Sequence, residues 1–237
     1  MLHHTVIDRW GTDIVSGVLP TGHRIGTDDA ATHFGVSRTV VREAVRVLES
    51  MGLLSVRQRL GITVTAPARW NPFDPNISRW QLEGPAAASH LRHLTELRTA
   101  NEPFAAERAA SSATTEQIQA LETAVVGMST SSRSDDKVGY AGHDADFHRT
   151  LLAASDNPLL IGLAGLIGHA LQRPAAVEIL CPPELIGLHG AVAAAIRSGD
   201  AVAGERAARA ILGAHPPLPE THQLPVSGQG RTVTASA

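Results

Sequence analysis

Cysteine is nearly missing from this chain of 237 residues, and the single Cys181 excludes an internal disulfide. It stands before Pro182-Pro183 at an expected helix boundary, where a small apolar role fits better than a redox one. Aromatic residues make up only 3 %, which excludes single-stranded nucleic-acid binding on a stacking platform and points to a core of Leu, Ala, Val and Ile. No apolar run of eighteen residues occurs, and the opening Met1-Leu-His-His-Thr-Val-Ile-Asp8 has no apolar signal region. The expectation is therefore a cytoplasmic protein with no membrane partner. Net charge is also small, −3, while 43 % hydrophobic content is ample for a core and the length suits two domains or one large one.

Positive charge is concentrated in one place. Between Val36 and Leu60 there are five arginines (Arg38, Arg42, Arg46, Arg57, Arg59) against two glutamates (Glu43, Glu49). Ser37 is placed to cap a helix whose apolar residues Val40, Val41, Ala44, Val45, Val47, Leu48 and Met51 recur every three or four positions, with Arg38, Arg42 and Arg46 four apart on another face. Arginines on an amphipathic helix are often only a solvated face. The flanking sequence favours an anion-binding one. Asp28 to Phe34 is a short helical run and Gly35-Val36 supplies the tight turn of a helix-turn-helix.

Gly52 ends the helix, and the alternating runs Leu54–Arg57 and Ile62–Thr65 suit a β-hairpin closed by Gln58-Arg-Leu-Gly61. The first residues of the second helix of such a module touch base edges. Arg38 and Thr39 are thus the expected base readers, with Arg42 and Ser37 on phosphate or base and Arg46 one turn further along.

These residues resemble the GntR family of bacterial regulators. The likeness spans residues 5–65 and rests on Ile14-Val-Ser-Gly-Val-Leu-Pro-Thr-Gly22, Gly35-Val-Ser-Arg-Thr-Val-Val-Arg-Glu-Ala44 and Leu48-Glu-Ser-Met-Gly-Leu-Leu54. The resemblance implies operator contacts for Arg38, Thr39 and Arg42, and a minor-groove role for Gln58 and Arg59 at the wing tip. One position departs from it: Asp28 stands where the family usually carries an operator-reading arginine.

Residues 67–85 carry prolines together with Trp70 and Trp80, the composition of a structured linker in which the tryptophans pin two domains together. Beyond it, helical patterns run over 86–111, from the capping-box-like Thr114-Thr-Glu-Gln117 onward, and over 138–154, 158–172, 183–197 and 200–212. The proline-rich and Gly/Ser/Thr-rich residues 214–237 cannot bury a face and are expected to be weakly ordered. The expected architecture is mainly α. It comprises a winged helix-turn-helix DNA-binding domain over 1–66, a linker over 67–85, an all-α effector-binding and dimerisation bundle over 86–213, and the tail.

Asp144 and His148, four apart, share a helix face and could hold one ion with His189 from a later helix. With twelve histidines in the chain, a core or surface histidine is the commoner explanation of such a pair. However, Leu94-Thr-Glu-Leu-Arg98 with Glu102, Asp144-Ala-Asp-Phe-His-Arg-Thr-Leu151, Asn157-Pro-Leu-Leu160, and His189 with Ile196-Arg-Ser-Gly-Asp200 resemble the FadR-type helical effector domain of the same family, over roughly residues 86–212. That resemblance implies a divalent ion (zinc, nickel or manganese) on Asp144, His148 and His189, with a fourth ligand at position 211, which here is Ile211. Water or an effector would then complete three protein ligands, or His215 one turn on would substitute, or the site would take no metal. Arg98 matches an inward-facing arginine of the family. It would pair either with a carboxylate effector or with a buried acid such as Glu102.

The expected function is a homodimeric, effector-responsive regulator, a repressor by preference, on an inverted-repeat operator. The alternative of another class is a metal-dependent hydrolase using Asp144, His148 and His189, which leaves residues 5–65 without a purpose.

Overall fold

The computed structural model describes residues 2–58, 61–172 and 184–214. Arg59, Cys181, His215 and the rest of the expected tail lie outside the described residues.

The N-terminal half is built on three helices and a small sheet. Helix α1 (Leu2–Val15) buries Val6, Ile7, Trp10 and Ile14, which recur at helical spacing, and Trp10 meets Phe34 edge-to-face at 5.5 Å. Helix α2 (Thr27–Phe34) stops at Gly35, whose φ of 63° is the left-handed conformation a glycine reaches without strain. Helix α3 (Arg38–Ser50) follows and turns Val41, Ala44, Val45 and Leu48 into the core. Strands β2 (Leu54–Arg57) and β3 (Gly61–Val64) form the expected hairpin, in register from Leu54 opposite Val64 to Arg57 opposite Gly61. A third strand, β1 (Arg24–Ile25), was not foreseen; it pairs antiparallel with β3, giving the order β1-β3-β2.

The proline-rich stretch read as a linker contains a 3-10 turn (Pro67–Arg69) and a helix, α4 (Pro75–Glu83). Asp74 caps α4 by accepting from the amides of Asn76 and Ile77, and Pro75 starts it at the position where its missing N–H costs nothing. The two tryptophans do not share out the contact between the halves. Trp70 and Trp80 both pack on the N-terminal core, and the Trp80 ring lies so close over Gly11 that a Cβ there would be 2.3 Å from it. The crossing is made by Leu82, buried with Leu94, Leu166 and Ala170, and by Ser78, which lies 2.8 Å from His90 Nε2.

The C-terminal half is helical throughout its described residues: α5 (Ala87–Ser112), α6 (Thr115–Arg133), α7 (Lys137–Ala154), α8 (Pro158–Ile161), α9 (Ala164–Leu171), α10 (Glu184–Ser198) and α11 (Ala201–Gly213). The capping box of Thr114 and Gln117 is present in both directions. The single helix expected over 158–172 is instead two, α8 and α9, with Gly162 capping the first. Leu121, Met128, Phe147, Leu151, Ile167, Val192 and Ile196 form one core, and the small Ala105, Ala106 and Ala109 of α5 let α11 approach closely at Gly204. No described helix is long and apolar enough to cross a membrane.

Candidate functional site

The first candidate surface is the outer face of α3. Ser37 Oγ accepts the amide hydrogen of Val40 at 3.3 Å, starting the helix while leaving its own O–H free to donate. With the apolar face turned inward, Ser37, Arg38, Thr39, Arg42 and Arg46 are all exposed. Their charges are not equivalent. Arg38 Nε contacts Asp28 Oδ1 at 2.8 Å, and Arg46 donates to Glu43 Oε1 at 2.6 Å. Arg42 has no ion-pair partner among the described residues.

The hairpin is fixed beside this face by a contact the sequence reading missed: Glu49 of α3 accepts the amide hydrogen of Val56 at 2.8 Å. Gln58 and Arg57 are exposed at the described end of the wing. Arg57, counted above only as charge, adds a cation there.

The second candidate lies inside the helical half. Asp144 and His148 of α7 and His189 of α10 are all buried, and their ligand-type atoms lie within 4.8 Å of one another. His189 Nε2 is 3.1 Å and His148 Nε2 3.5 Å from Asp144 Oδ1, and the two Nε2 atoms are 3.3 Å apart. Phe147 holds both imidazoles edge-to-face, at 5.5 Å from His148 and 4.8 Å from His189. Arg98 and Glu102 of α5 close the cluster. Arg98 Nε donates to Glu102 Oε1 at 2.8 Å, and its Nη2 stands 3.0 Å from His148 Nε2.

Packed together out of solvent, Arg98, Glu102, Asp144 and His148 shift one another. Burial works to raise the Glu102 carboxyl, but Arg98 and then His148 outweigh it and bring the group down to about 2. Asp144 is likewise held well below the usual carboxylate range, with burial overcome by His148 and His189. Burial works to lower His148, yet Glu102, against the opposing Arg98, raises it with help from Asp144. Both acids are therefore ionised at neutral pH.

The donor set suits a divalent ion. His189 Nδ1 is 2.8 Å from the Leu185 carbonyl, which can only accept, so Nδ1 carries a proton and Nε2 is the ring nitrogen turned to the cluster. His148 Nδ1 faces Glu102 Oε2 at 2.9 Å, off the line a hydrogen bond needs, and its Nε2 also points inward. Two imidazole nitrogens 3.3 Å apart beside a carboxylate cannot all present lone pairs to one another and need a proton or a cation between them. A proton, the Arg98 guanidinium or a metal each meets that need, and the N,N,O set fits zinc, nickel or manganese. Ile211, buried in the helical core, offers no fourth ligand.

The structure thus brings Asp144, His148, His189 and Arg98 together, and sets Ser37, Arg38, Thr39, Arg42 and Arg46 on one exposed stretch of α3. Glu102 was considered only as a partner for Arg98; its second contact, to His148, depends on α5 packing on α7 and leaves no local trace.

Comparison with known proteins matches the FCD domain over residues 93–214 and the "bacterial regulatory proteins, gntR family" over residues 2–64. The uncharacterized HTH-type transcriptional regulator YieP of Escherichia coli strain K12 is 28 % identical over 213 residues, covering 89 % of this chain and 92 % of that protein. The galactonate operon transcriptional repressor of the same strain is 26 % identical over 207 residues, covering 85 % and 90 %. Among solved structures, Lar, which controls expression of the Listeria monocytogenes agr system, superposes with a TM-score of 0.60 at 16 % identity, covering 90 % of this chain and 94 % of that one. This last likeness speaks to the fold alone.

Proposed function

The chain belongs to the GntR family of bacterial regulatory proteins, its DNA-binding region followed by an FCD domain, and from that premise we propose a cytoplasmic, homodimeric, effector-responsive repressor. Its domains and relatives are transcription regulators and not enzymes, which removes the hydrolase alternative.

In the proposed complex, two α3 helices enter successive major grooves of an inverted-repeat operator. Arg38 and Thr39 contact base edges. Ser37, through its free O–H, and Arg42 and Arg46 hold the phosphates, while Gln58 at the described end of the wing, with Arg59 next to it in sequence, reaches the minor groove. The carrying observation is the division of α3: Val41, Ala44, Val45 and Leu48 buried, the arginines exposed, and the helix start capped by Ser37.

The helical half takes the effector, a small organic acid, and makes most of the dimer contact. Asp144, His148 and His189 would hold a divalent ion, which supplies an electrophilic position for a carboxylate. Arg98 contributes a further positive charge, shared with Glu102. The name of the galactonate operon relative makes sugar acids the first compounds to try.

Selection of binding sites from a random double-stranded DNA pool tests the reading. An enriched inverted repeat bound by a dimer in ultracentrifugation is the expected result, and failure to enrich any sequence overturns it. A thermal-shift screen against zinc, nickel, manganese and organic acids tests the effector half, because a ligand of the native state raises its melting temperature. His148→Ala should abolish metal uptake, since only two protein ligands then remain; equal metal content in the variant counts against the site.

A further inference from the structure

The Asp28–Arg38 pair is a feature that the reading of the arginines as separate contacts does not use. Asp28 lies in the first turn of α2 and Arg38 is the first residue of α3, so the turn at Gly35 brings two helix starts together. The contact is made by Nε of Arg38, at 2.8 Å from Asp28 Oδ1. Both side chains are largely exposed, at 72 % and 63 %.

That geometry has a chemical consequence. A guanidinium has five N–H donors in a plane, and a carboxylate on the Nε edge leaves both terminal nitrogens free. Those two can donate end-on to O6 and N7 of a guanine in the major groove. A long side chain otherwise samples many rotamers, and holding it at Nε removes part of the ordering cost of docking. The same carboxylate cancels the attraction of Arg38 for phosphate. An uncompensated Asp28 would instead repel the backbone, because a helix start is where a phosphate tends to sit.

We propose that Asp28 is a specificity-determining residue: it positions Arg38 to read a guanine and keeps it from being spent on phosphate. This rests on the reading of α3 as the base-contacting helix. Asp28 touches no base itself and acts through Arg38, whereas Arg42, with no ion-pair partner among the described residues, remains a backbone contact.

The test uses the full-length protein and the binding sequences selected from random DNA by wild type, Asp28→Ala, Asp28→Asn, Arg38→Ala and the double variant Asp28→Ala/Arg38→Ala. Wild type is expected to select one sharply defined guanine per half-site, and Arg38→Ala to lose it. Asp28→Ala should blur that same position and no other, lowering discrimination there by roughly tenfold, near the low end of a bidentate arginine–guanine pair. Asp28→Ala should also bind unrelated DNA more tightly, with the salt dependence steeper by about one phosphate contact per subunit. Asp28→Asn should behave like Asp28→Ala on both salt dependence and selectivity, because the contact is an ion pair and the charge that holds Arg38 is gone. Arg38→Ala should cost more affinity in the wild-type background than in Asp28→Ala, where no bare carboxylate is left facing DNA.

Unfolding midpoints of the variants within a degree or two of wild type would show that the fold is intact; a larger drop for Asp28→Ala would make Asp28 structural and overturn the proposal. If wild type selects a sequence and Asp28→Ala selects the same one with the same salt slope, the proposal fails while the regulator reading stands. If wild type selects nothing, both fail together.

Discussion

Two arginine–carboxylate pairs in this protein have the same N–O distance, 2.8 Å, and opposite surroundings: Arg38–Asp28 is mostly exposed, and the side chains of Arg98–Glu102 are 3 % and 1 % exposed. The difference separates the two candidate sites. On the winged half, water screens the pair and a new partner can replace either member, so the pair adds about 0–1 kcal/mol to stability and its value is in how it steers a side chain. Arg98 and Glu102 are withdrawn from bulk solvent, so their charges are held in fixed positions whatever the pair adds to net stability. One site presents charge that can be re-paired, and the other stores it.

The largest test of this contrast is Glu102→Ala, which leaves Arg98 buried beside His148 without its carboxylate. Urea unfolding should show a loss of about 3–5 kcal/mol, whereas Asp28→Ala stays within about 0.5 kcal/mol. Replacing both members, as Arg98→Met/Glu102→Met, should recover most of the loss. Similar small losses for Glu102→Ala and Asp28→Ala would erase the distinction.

Gly11→Ala examines the grip of the N-terminal half on α4. Its Cβ would lie 2.3 Å from the Trp80 ring, and overpacking of this kind costs about 1–3 kcal/mol. Tryptophan fluorescence and the melting temperature should change together; an unperturbed variant would mean that α4 is not packed on α1 in solution.

Ser37→Ala should cost about 1 kcal/mol of stability by removing the acceptor for the Val40 amide, and Ser37→Gly clearly less. Equal losses for the two would show that the hydroxyl is not capping.

A last test is a pH dependence at the seam between the halves. Burial, and then His93, push His90 down to about 4, while an unfolded histidine takes its proton near 6.5. Between those values the unfolded chain binds the extra proton, so the contribution of neutral His90 is complete above 6.5 and lost as pH falls toward 4. The melting-temperature gap between wild type and His90→Gln should narrow from pH 7 to pH 5. A gap independent of pH would place His90 in water.

How far the sequence could be read depended on the range of the interactions. α3 was legible because its capping serine, apolar spacing and arginine spacing all lie within one helix. Asp144 and His148 were legible for the same reason, and His189 joined them through the family resemblance. β1 was missed because two residues carry no alternation; only pairing with β3 makes Arg24–Ile25 a strand. α4 was hidden among prolines that suggested a linker, although Asp74-Pro75 is itself a helix start. Neither the Arg38–Asp28 contact nor the approach of Glu102 to His148 could be read from spacing, because each depends on where separate helices come to rest.

The position of α4 also bears on how the two halves could communicate. Its nine residues bury Trp80 against α1 and Leu82 among residues of α5 and α9, so little slack separates the two grips. A helix transmits displacement as a rod does, without the damping of a flexible tether. Any shift of α9 would reach α1 through side chains already in van der Waals contact, and the winged half would swing as one body because Glu49 ties α3 to the hairpin. In the proposed dimer, such gearing would change the separation of the two reading heads while leaving the shape of each head intact.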